Sequence, residues 1–201
     1  MGMLETLEQT DRSVTLFLNT FLDTAWSGPV WAFITDKHTW YPVYALLIVF
    51  LFWKMGWKRA LVTLGAIALT ILAADQLANV VKAATMRLRP CHDPWMIENG
   101  IELPIGKGGG KYGFFSAHAA NSFALVLSIW IPLKALSDGA RRFRWFIWTG
   151  CIWATVVSLS RVCVGRHFAG DILVGAAVGL LIGWAFGLLS RWVCSLMDKK
   201  V

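Results

Sequence analysis

The sequence predicts an all-α fold, a polytopic bundle of membrane-spanning helices. Of the 201 residues, 57% are hydrophobic and only 15% are charged, and the mean hydropathy is +0.57. In soluble domains, about a quarter of all residues are usually charged. The chain also contains 12 tryptophans, and an indole ring is best satisfied at the boundary between lipid and water. These observations favour a single integral-membrane domain over residues 1–201.

Five apolar segments are clear candidates for spans, since a spanning helix needs about 20 apolar residues. Four of them are long, namely 60–81, 119–136, 145–161 and 168–194. The fifth, 40–56, is shorter but carries interface anchors at Trp40, Tyr41, Trp53 and, just beyond it, Trp57. We therefore place the core helices within residues 39–196.

The N-terminal segment, residues 1–38, is predicted to span the membrane or to lie in its interface. Residues 13–35 contain Asp23 and the break Gly28-Pro29. They form a candidate sixth span, an interfacial helix or a broken pair of short helices.

Basic residues fall mainly in the loops between apolar segments, so the net charge of +7 indicates membrane topology rather than nucleic-acid binding. Three basic clusters alternate with the spans and should share the cytoplasmic side. The clusters are Lys54, Lys58 and Arg59; Lys134, Arg141, Arg142 and Arg144; and Arg191, Lys199 and Lys200. The polar motifs described next then face the periplasm or exterior of a bacterial inner membrane. Lys107 and Lys111 weaken this asymmetry without reversing it.

The first polar motif joins Lys82 to Arg89-Pro90. Pro90 forces its predecessor into extended backbone, so Arg89 should fold back over the membrane face. Asp75 and Asn79 lie on the same helix face as Lys82. A charge in the middle of a span must face the bundle interior. We expect Asp75 to support the site from behind, paired with Asn79 or Asn121, rather than to react.

The second and third motifs combine a helix start with a histidine. Ser116-Ala117-His118 begins a span, where Ser is a favoured cap and free backbone N–H groups attract an anion. His167 and Asp171 are four residues apart as another helix opens, so the carboxylate can fix the imidazole tautomer. Arg161 precedes them across a bend at Gly165, and its planar fork suits two phosphate oxygens.

The glycine-rich segment 106–113, GKGGGKYG, lies between the first two motifs. It fails the GxxxxGK[ST] spacing of a nucleotide-binding loop. We expect a flexible loop that gates the substrate rather than an inert linker. Cys91 and Cys163 each lie beside a motif, and the sequence leaves open whether they pair.

These motifs, in this order, closely resemble the type 2 phosphatidic acid phosphatase family, which shares its site with vanadium haloperoxidases. The resemblance covers residues 82–171 through Lys82, Arg89-Pro90, Ser116-Ala117-His118, Ser160-Arg161, His167 and Asp171. One departure is visible, because the family's middle motif usually reads Pro-Ser-Gly-His and this chain has Phe115-Ser116-Ala117-His118. A helical Ala117 still offers its backbone N–H, so the change bears on substrate preference more than on activity.

The resemblance implies a metal-independent phosphatase without a cofactor. It makes His167 the nucleophile that becomes a phosphohistidine, Asp171 its orienting partner, and His118 the general acid and later the base. Lys82, Arg89, Ser116 and Arg161 would bind the phosphate oxygens. A single carboxylate among the motifs, Asp171, is too few for a magnesium site.

The expected substrate is a phosphomonoester or diphosphate of a membrane lipid, and no nucleic acid is expected as a partner. Undecaprenyl diphosphate and a lipid A phosphate are favoured, with phosphatidylglycerol phosphate and phosphatidic acid as further candidates. Two other functions stay open from the sequence. A vanadate-dependent haloperoxidase would use the same motifs, and a lipid transporter or flippase would explain the intramembrane Asp75.

Overall fold

The computed structural model describes residues 2–22, 26–136 and 143–198, and these residues confirm the all-α prediction. They form seven α-helices and two short 3₁₀ turns, Lys37–Trp40 and Pro90–His92. One isolated antiparallel bridge joins Leu88 to Tyr112. The helices are α1 Met3–Leu22, α2 Ser27–Thr35, α3 Tyr41–Thr85, α4 Pro94–Glu98, α5 Ala117–Lys134, α6 Arg144–Cys163 and α7 Ala169–Asp198.

Among the described residues, three segments are long and apolar enough to cross a membrane: Lys37–Thr85, Arg144–Cys163 and Ala169–Met197. The sequence predicts five or six spans, so this criterion finds fewer. Large apolar side chains point out of these segments, among them Trp53, Leu173 and Leu181, which are 74%, 71% and 67% exposed. Such a surface is suited to lipid and not to water. The chain is therefore an integral membrane protein.

Gly56 divides α3 into two arms. A straight helix of 45 residues would be about 68 Å long, more than twice the hydrocarbon thickness of a bilayer. Gly56 has φ 71° and ψ 164°, outside the helical region, and only glycine adopts such a conformation without a steric cost. The break falls at the last residue of the predicted segment 40–56 and ahead of 60–81, so the two segments are separate arms of one element.

Helix α5 lies at the centre of the bundle, where it packs against α3, α6 and α7. Its closest neighbour is α7, which presents glycines to it at every fourth position. A Cβ at Gly179 or Gly183 would collide with the backbone of α5, at Ala120 and Ala124 respectively. Small residues at this spacing let two helices approach closely in a membrane. This contact fixes the start of α7 beside the start of α5.

The described members of the three predicted basic clusters lie at one end of the bundle. Arg59 and Arg191 line one cavity there, and Lys134 lines a neighbouring cavity together with Arg191. The ammonium groups of Lys54 and Lys134 lie 3.2 and 4.8 Å from the ring centres of tryptophans, as expected at a lipid–water boundary. Arg141, Arg142, Lys199 and Lys200 lie outside the described residues. The three polar motifs lie at the other end of the bundle, away from these basic clusters.

The N-terminal region forms two separate helices, α1 and α2, which matches the broken pair among the alternatives for residues 13–35. Asp23 lies outside the described residues. Helix α1 is not among the segments that qualify as spans, and its polarity is reversed. Thr15 and Asn19 are buried, whereas Phe17 and Phe21 are 62% and 68% exposed. Its polar face therefore contacts the protein and its apolar face points outward.

Candidate active site

Backbone hydrogen bonds bring the three motifs together at one end of the bundle. The N–H of Ser116 donates to the carbonyl of Asp171 at 3.0 Å, which links the second motif to the third. The N–H of Cys91 donates to the carbonyl of Gly165 at 3.1 Å, which links the first motif to the third. Segments far apart in the sequence are thus held next to one another by backbone hydrogen bonds.

His167 and Asp171 form a buried pair. Their Nδ1 and Oδ2 atoms are 3.3 Å apart, and the two residues are only 2% and 0% exposed. The same carboxylate oxygen accepts from the N–H of Phe168 at 3.0 Å. Gly165, with φ 68°, makes the turn that sets His167 just ahead of α7. A carboxylate that accepts a hydrogen bond from Nδ1 leaves the lone pair of Nε2 free.

The surroundings of His167 favour its neutral form. The residue lies between α6 and α7, and burial lowers its pKa from 6.5 to about 4. The hydrogen bond to Asp171 raises the pKa, but the nearby Arg161 and Arg89 lower it further. A neutral imidazole has a lone pair available for attack, so this environment is compatible with a nucleophile.

Ser116 caps α5 as the sequence predicts. Its hydroxyl oxygen accepts from the N–H of Ala119 at 3.3 Å, and the residue is fully buried. Ala117 is the first residue of α5, so it has the helical conformation expected of it. His118 follows in the first turn, within electrostatic range of Arg161, His167, Lys82 and Arg89. His118 of the second motif therefore lies near charged residues of the other two motifs.

The three predicted phosphate-binding cations converge on this point from different elements. Lys82 lies in the last turn of α3 and interacts electrostatically with Arg89 and Arg161. Arg89 has the extended backbone that Pro90 predicts, with φ −76° and ψ 156°. Its Nε donates to the carbonyl of Tyr112 at 3.0 Å. Positive charge is thereby concentrated beside His167.

The side chain of Arg161 is held by a residue of α2. Its Nη1 donates to the hydroxyl of Thr35 at 2.5 Å, and its buried Nε has no hydrogen-bond partner among the described residues. The residue is 9% exposed. A guanidinium fixed on one side and unsatisfied on another is well arranged for an oxyanion.

Of the two residues expected to support the site, the structure assigns a contact to one. Asn121 Nδ2 donates to Asp75 Oδ1 at 2.8 Å, and Asp75 interacts electrostatically with Lys82. Asn79 is exposed on α3 and does not pair with Asp75. The pairing with Asn121 is one of the two predicted alternatives, and it forms because α5 approaches α3 at Asp75 and presents the amide of Asn121 there.

Arg87 and Asp11 also belong to the site, although no sequence motif predicts them. Arg87 Nη1 donates to Asp171 Oδ1 at 2.8 Å, and its Nη2 donates to Asp11 Oδ2 at 2.6 Å. Asp11 Oδ1 in turn accepts from the N–H of Gly170 at 2.7 Å. The carboxylate of the buried pair is thus fixed by a chain of charges that reaches α1.

Two further residues of α1 complete this docking. Thr15 Oγ1 accepts from the N–H of Ala169 at 2.9 Å, so α1 supplies the caps for the first turn of α7. Asn19 Nδ2 donates to the carbonyls of Val162 and Cys163 at the end of α6. The signal for this role was the spacing of Asp11, Thr15 and Asn19, which lie four residues apart on one helix face.

The glycine-rich segment covers the site. A Cβ at Gly108 would come within 2.9 Å of Arg166 Nη2, and a Cβ at Gly109 within 2.7 Å of Arg89 Nη1. The N–H of Gly113 donates to the carbonyl of Arg87 at 2.9 Å. This placement is compatible with the expected gating role and gives no nucleotide-binding loop.

Comparisons with known proteins agree on one family. The sequence model of the PAP2 superfamily matches residues 63–193. A lipid A 4′-phosphatase of Bacteroides thetaiotaomicron is 36% identical over 178 residues, which cover 88% of this chain and 75% of that protein. A lipid A 4′-phosphatase of Porphyromonas gingivalis is 35% identical over 180 residues, or 88% of this chain and 71% of that protein.

A solved structure has the same fold. The crystal structure of a transmembrane PAP2-type phosphatidylglycerolphosphate phosphatase from Bacillus subtilis matches with a TM-score of 0.66 and 20% sequence identity. The match covers 98% of this chain and 88% of that one. The family match and the two relatives show that the chain belongs to the PAP2 superfamily and is a membrane lipid phosphatase, and the buried His–Asp pair among converging cations agrees with this.

Proposed function

We propose that this protein removes the 4′-phosphate of lipid A. The observation that carries the proposal is the similarity to two lipid A 4′-phosphatases over 88% of the chain. An alignment of 178 residues within 201 includes residues 82–171 wherever it begins, so it contains every motif of the site. Among the lipids that the sequence analysis favours, lipid A therefore stands ahead of undecaprenyl diphosphate.

In the proposed first step, Nε2 of the neutral His167 attacks phosphorus and the bond to the lipid oxygen breaks. Asp171 stabilises the positive charge that develops on the imidazole. His118 gives its proton to the departing oxygen, so the lipid leaves as an alcohol. The product on the enzyme is a phosphohistidine.

In the second step, His118 accepts a proton from water, and the water oxygen attacks the phosphohistidine. The bond from phosphorus to His167 breaks and inorganic phosphate is released. Throughout, Lys82, Arg89 and Arg161 offset the charge on the phosphoryl oxygens, and Ser116 adds a hydrogen bond. The mechanism assigns the electrophilic role to protein cations and requires no metal.

The proposed topology places the site on the periplasmic side of a bacterial inner membrane. The two arms of α3 with α5, α6 and α7 give five crossings, and the end that holds Arg59, Lys134 and Arg191 is then cytoplasmic. Helix α1 lies in the outer interface with its apolar face in lipid. This placement of α1 is supported by the exposed Phe17 and Phe21 and by the polar contacts of Thr15 and Asn19.

A phosphate-release panel tests the substrate. The purified protein in detergent would be given lipid A, undecaprenyl diphosphate, phosphatidylglycerol phosphate and phosphatidic acid, and the lipid products would be identified by mass spectrometry. We expect lipid A to lose one phosphate, from the 4′ position, and His167→Ala to release none. Turnover of another lipid with none of lipid A would contradict the proposed substrate.

A further inference from the structure

Arg166 is a buried cation to which neither the motifs nor the proposed mechanism gives a role. It stands between Gly165 and His167 and is only 7% exposed. Its backbone N–H donates to the carbonyl of Arg161 at 2.9 Å, which holds it in the turn. Its side-chain Nη1 is buried, and no described residue accepts a hydrogen bond from it. A guanidinium in this state is costly unless an anion joins it.

The neighbouring carboxylates are already engaged with other arginines. Asp171 and Asp11 are both paired with Arg87, and Asp93 is paired with Arg12. Within the described part of the chain, Lys82, Arg89, Arg161 and Arg166 have no carboxylate within ion-pair distance. The cluster thus contains four cations without a protein counter-charge, which is one more than the three predicted phosphate ligands.

Arg166 and Arg89 approach the same point of the glycine-rich loop. A Cβ at Gly109 would lie 2.7 Å from Arg89 Nη1 and 2.8 Å from Arg166 Nη1. The two cationic nitrogens therefore flank one residue, although like charges repel. The loop can close over them only because Gly108 and Gly109 have no side chains. A phosphoryl group bridging the two guanidiniums would relieve both the repulsion and the unsatisfied nitrogen.

We propose that Arg166 is a fourth phosphate-binding residue, which together with Arg89 holds phosphoryl oxygens beneath Gly108 and Gly109. The inference builds on the proposed phosphatase site and extends it by one ligand. The group bound is a phosphoryl oxyanion, which comes either from the phosphate that reacts or from a second phosphoryl group of the same lipid. The glycine-rich loop then serves as the cover of this anion pocket.

Binding of inorganic phosphate tests the proposal without reference to any lipid. Phosphate affinity of the purified protein would be measured by isothermal titration for wild type, Arg166→Gln and Arg166→Lys. A hydrogen bond to a charged group is worth roughly tenfold to a hundredfold in affinity, and we expect a loss of about that size in Arg166→Gln. Arg166→Lys keeps the charge but loses the fork, and we expect it to fall between the other two.

The matched control is Lys37→Ala, which also removes one positive charge at this end of the bundle but from an exposed side chain. It should bind phosphate as wild type does. Unchanged phosphate affinity in Arg166→Gln, or in Arg166→Lys where the first variant fails to fold, would overturn the proposal. A merely structural role for Arg166 predicts altered thermal stability with unchanged phosphate affinity.

Kinetics with paired substrates then identify the source of the bound group. A lipid monophosphate and the diphosphate of the same lipid would be compared in Arg166→Gln. Equal losses of kcat/KM assign Arg166 to the reacting phosphate, and a larger loss on the diphosphate assigns it to a second phosphoryl group. Failure of lipid A as substrate would leave the phosphate titration untouched, so the two proposals fail separately.

Discussion

Arg87 Nη1 donates to Asp171 Oδ1 at 2.8 Å, although Arg87 follows α3 and Asp171 lies in the first turn of α7. The contact gives the fully buried carboxylate of Asp171 a counter-charge, and a buried charge without a partner is costly. The same carboxylate contacts Nδ1 of His167 through its other oxygen. The geometry of the His–Asp pair thus depends on a residue outside the recognised motifs.

Arg87→Ala should therefore impair both stability and turnover. Removing one partner of a buried ion pair costs about 3–5 kcal/mol, and here two carboxylates, Asp171 and Asp11, lose their arginine. We expect a lower free energy of unfolding and a fall in kcat, and Arg87→Lys should recover part of each.

The control is Arg12→Ala, which breaks the comparable pair with Asp93 at 2.9 Å. It should lower stability but leave kcat of the folded protein close to wild type, and an equal loss of kcat in both variants would refute the role of Arg87.

Gly179→Ala should destabilise the bundle. The added Cβ would meet the backbone of α5 at Ala120, which cannot move aside as a flexible side chain could. Overpacking of this kind costs about 1–3 kcal/mol. Gly65→Ala is the control, because a Cβ at Gly65 meets nothing within 4 Å. Thermal unfolding in detergent should show a lower Tm for the first variant and no loss for the second; the same Tm for both would argue against the glycine contact.

How far the sequence could predict the site is clear from individual residues. The cap at Ser116, the extended Arg89 and the His167–Asp171 pair follow from local rules of helix capping, proline geometry and helix periodicity. Arg87, Asp11 and Arg166 could not be assigned in this way, because their contacts depend on how α1 and the glycine-rich loop dock. Two patterns could nevertheless have been recognised: the polar stripe of α1 and the glycines of α7 at every fourth position.

The span prediction shows the same limit. Hydropathy located the apolar segments, and the break near residue 56 separates two of them as expected. Helix α5, which contains most of the predicted span 119–136, carries Asn121, Ser122 and Ser128 and is not among the segments that qualify as spans. It packs against α3, α6 and α7, so its polar residues can face protein. The polarity of α1 was not predicted either, because a helix with buried polar residues and exposed phenylalanines has meaning only once its neighbours are known.

The lowered pKa of His167 predicts an unusual pH dependence. With a folded-state pKa of about 4 against 6.5 in the unfolded chain, the unfolded state binds more protons between these values. Stability should therefore fall as the pH falls from about 6.5 to about 4. The decrease in Tm between pH 7.5 and pH 5 should be smaller in His167→Gln than in wild type. The acid limb of kcat/KM in the wild type should also lie well below pH 6.5. A decrease in Tm of the same size in wild type and His167→Gln would contradict the lowered pKa.

Cysteine labelling in intact cells tests the orientation. A cysteine at Lys107, exposed in the glycine-rich segment, should react with a membrane-impermeant thiol reagent. One at Lys58, exposed at the basic end, should react only after the cells are opened. Gly109 is less suitable as a labelling position because a side chain there would displace Arg89 and Arg166. Labelling of both variants would be compared with the parent chain, and the reverse pattern would place the site in the cytoplasm.

The central claim is that His167 carries the phosphoryl group during turnover, and trapping the intermediate tests it most directly. The enzyme would be mixed with radiolabelled lipid phosphate and quenched in alkali, which preserves phosphohistidine, and the labelled peptide would be identified by mass spectrometry. His118→Ala should retain label longest when the substrate has a good leaving group, because its second step lacks a base. The account predicts label on His167 in wild type and His118→Ala and none in His167→Ala; label on His118, or turnover by His167→Ala, would contradict it.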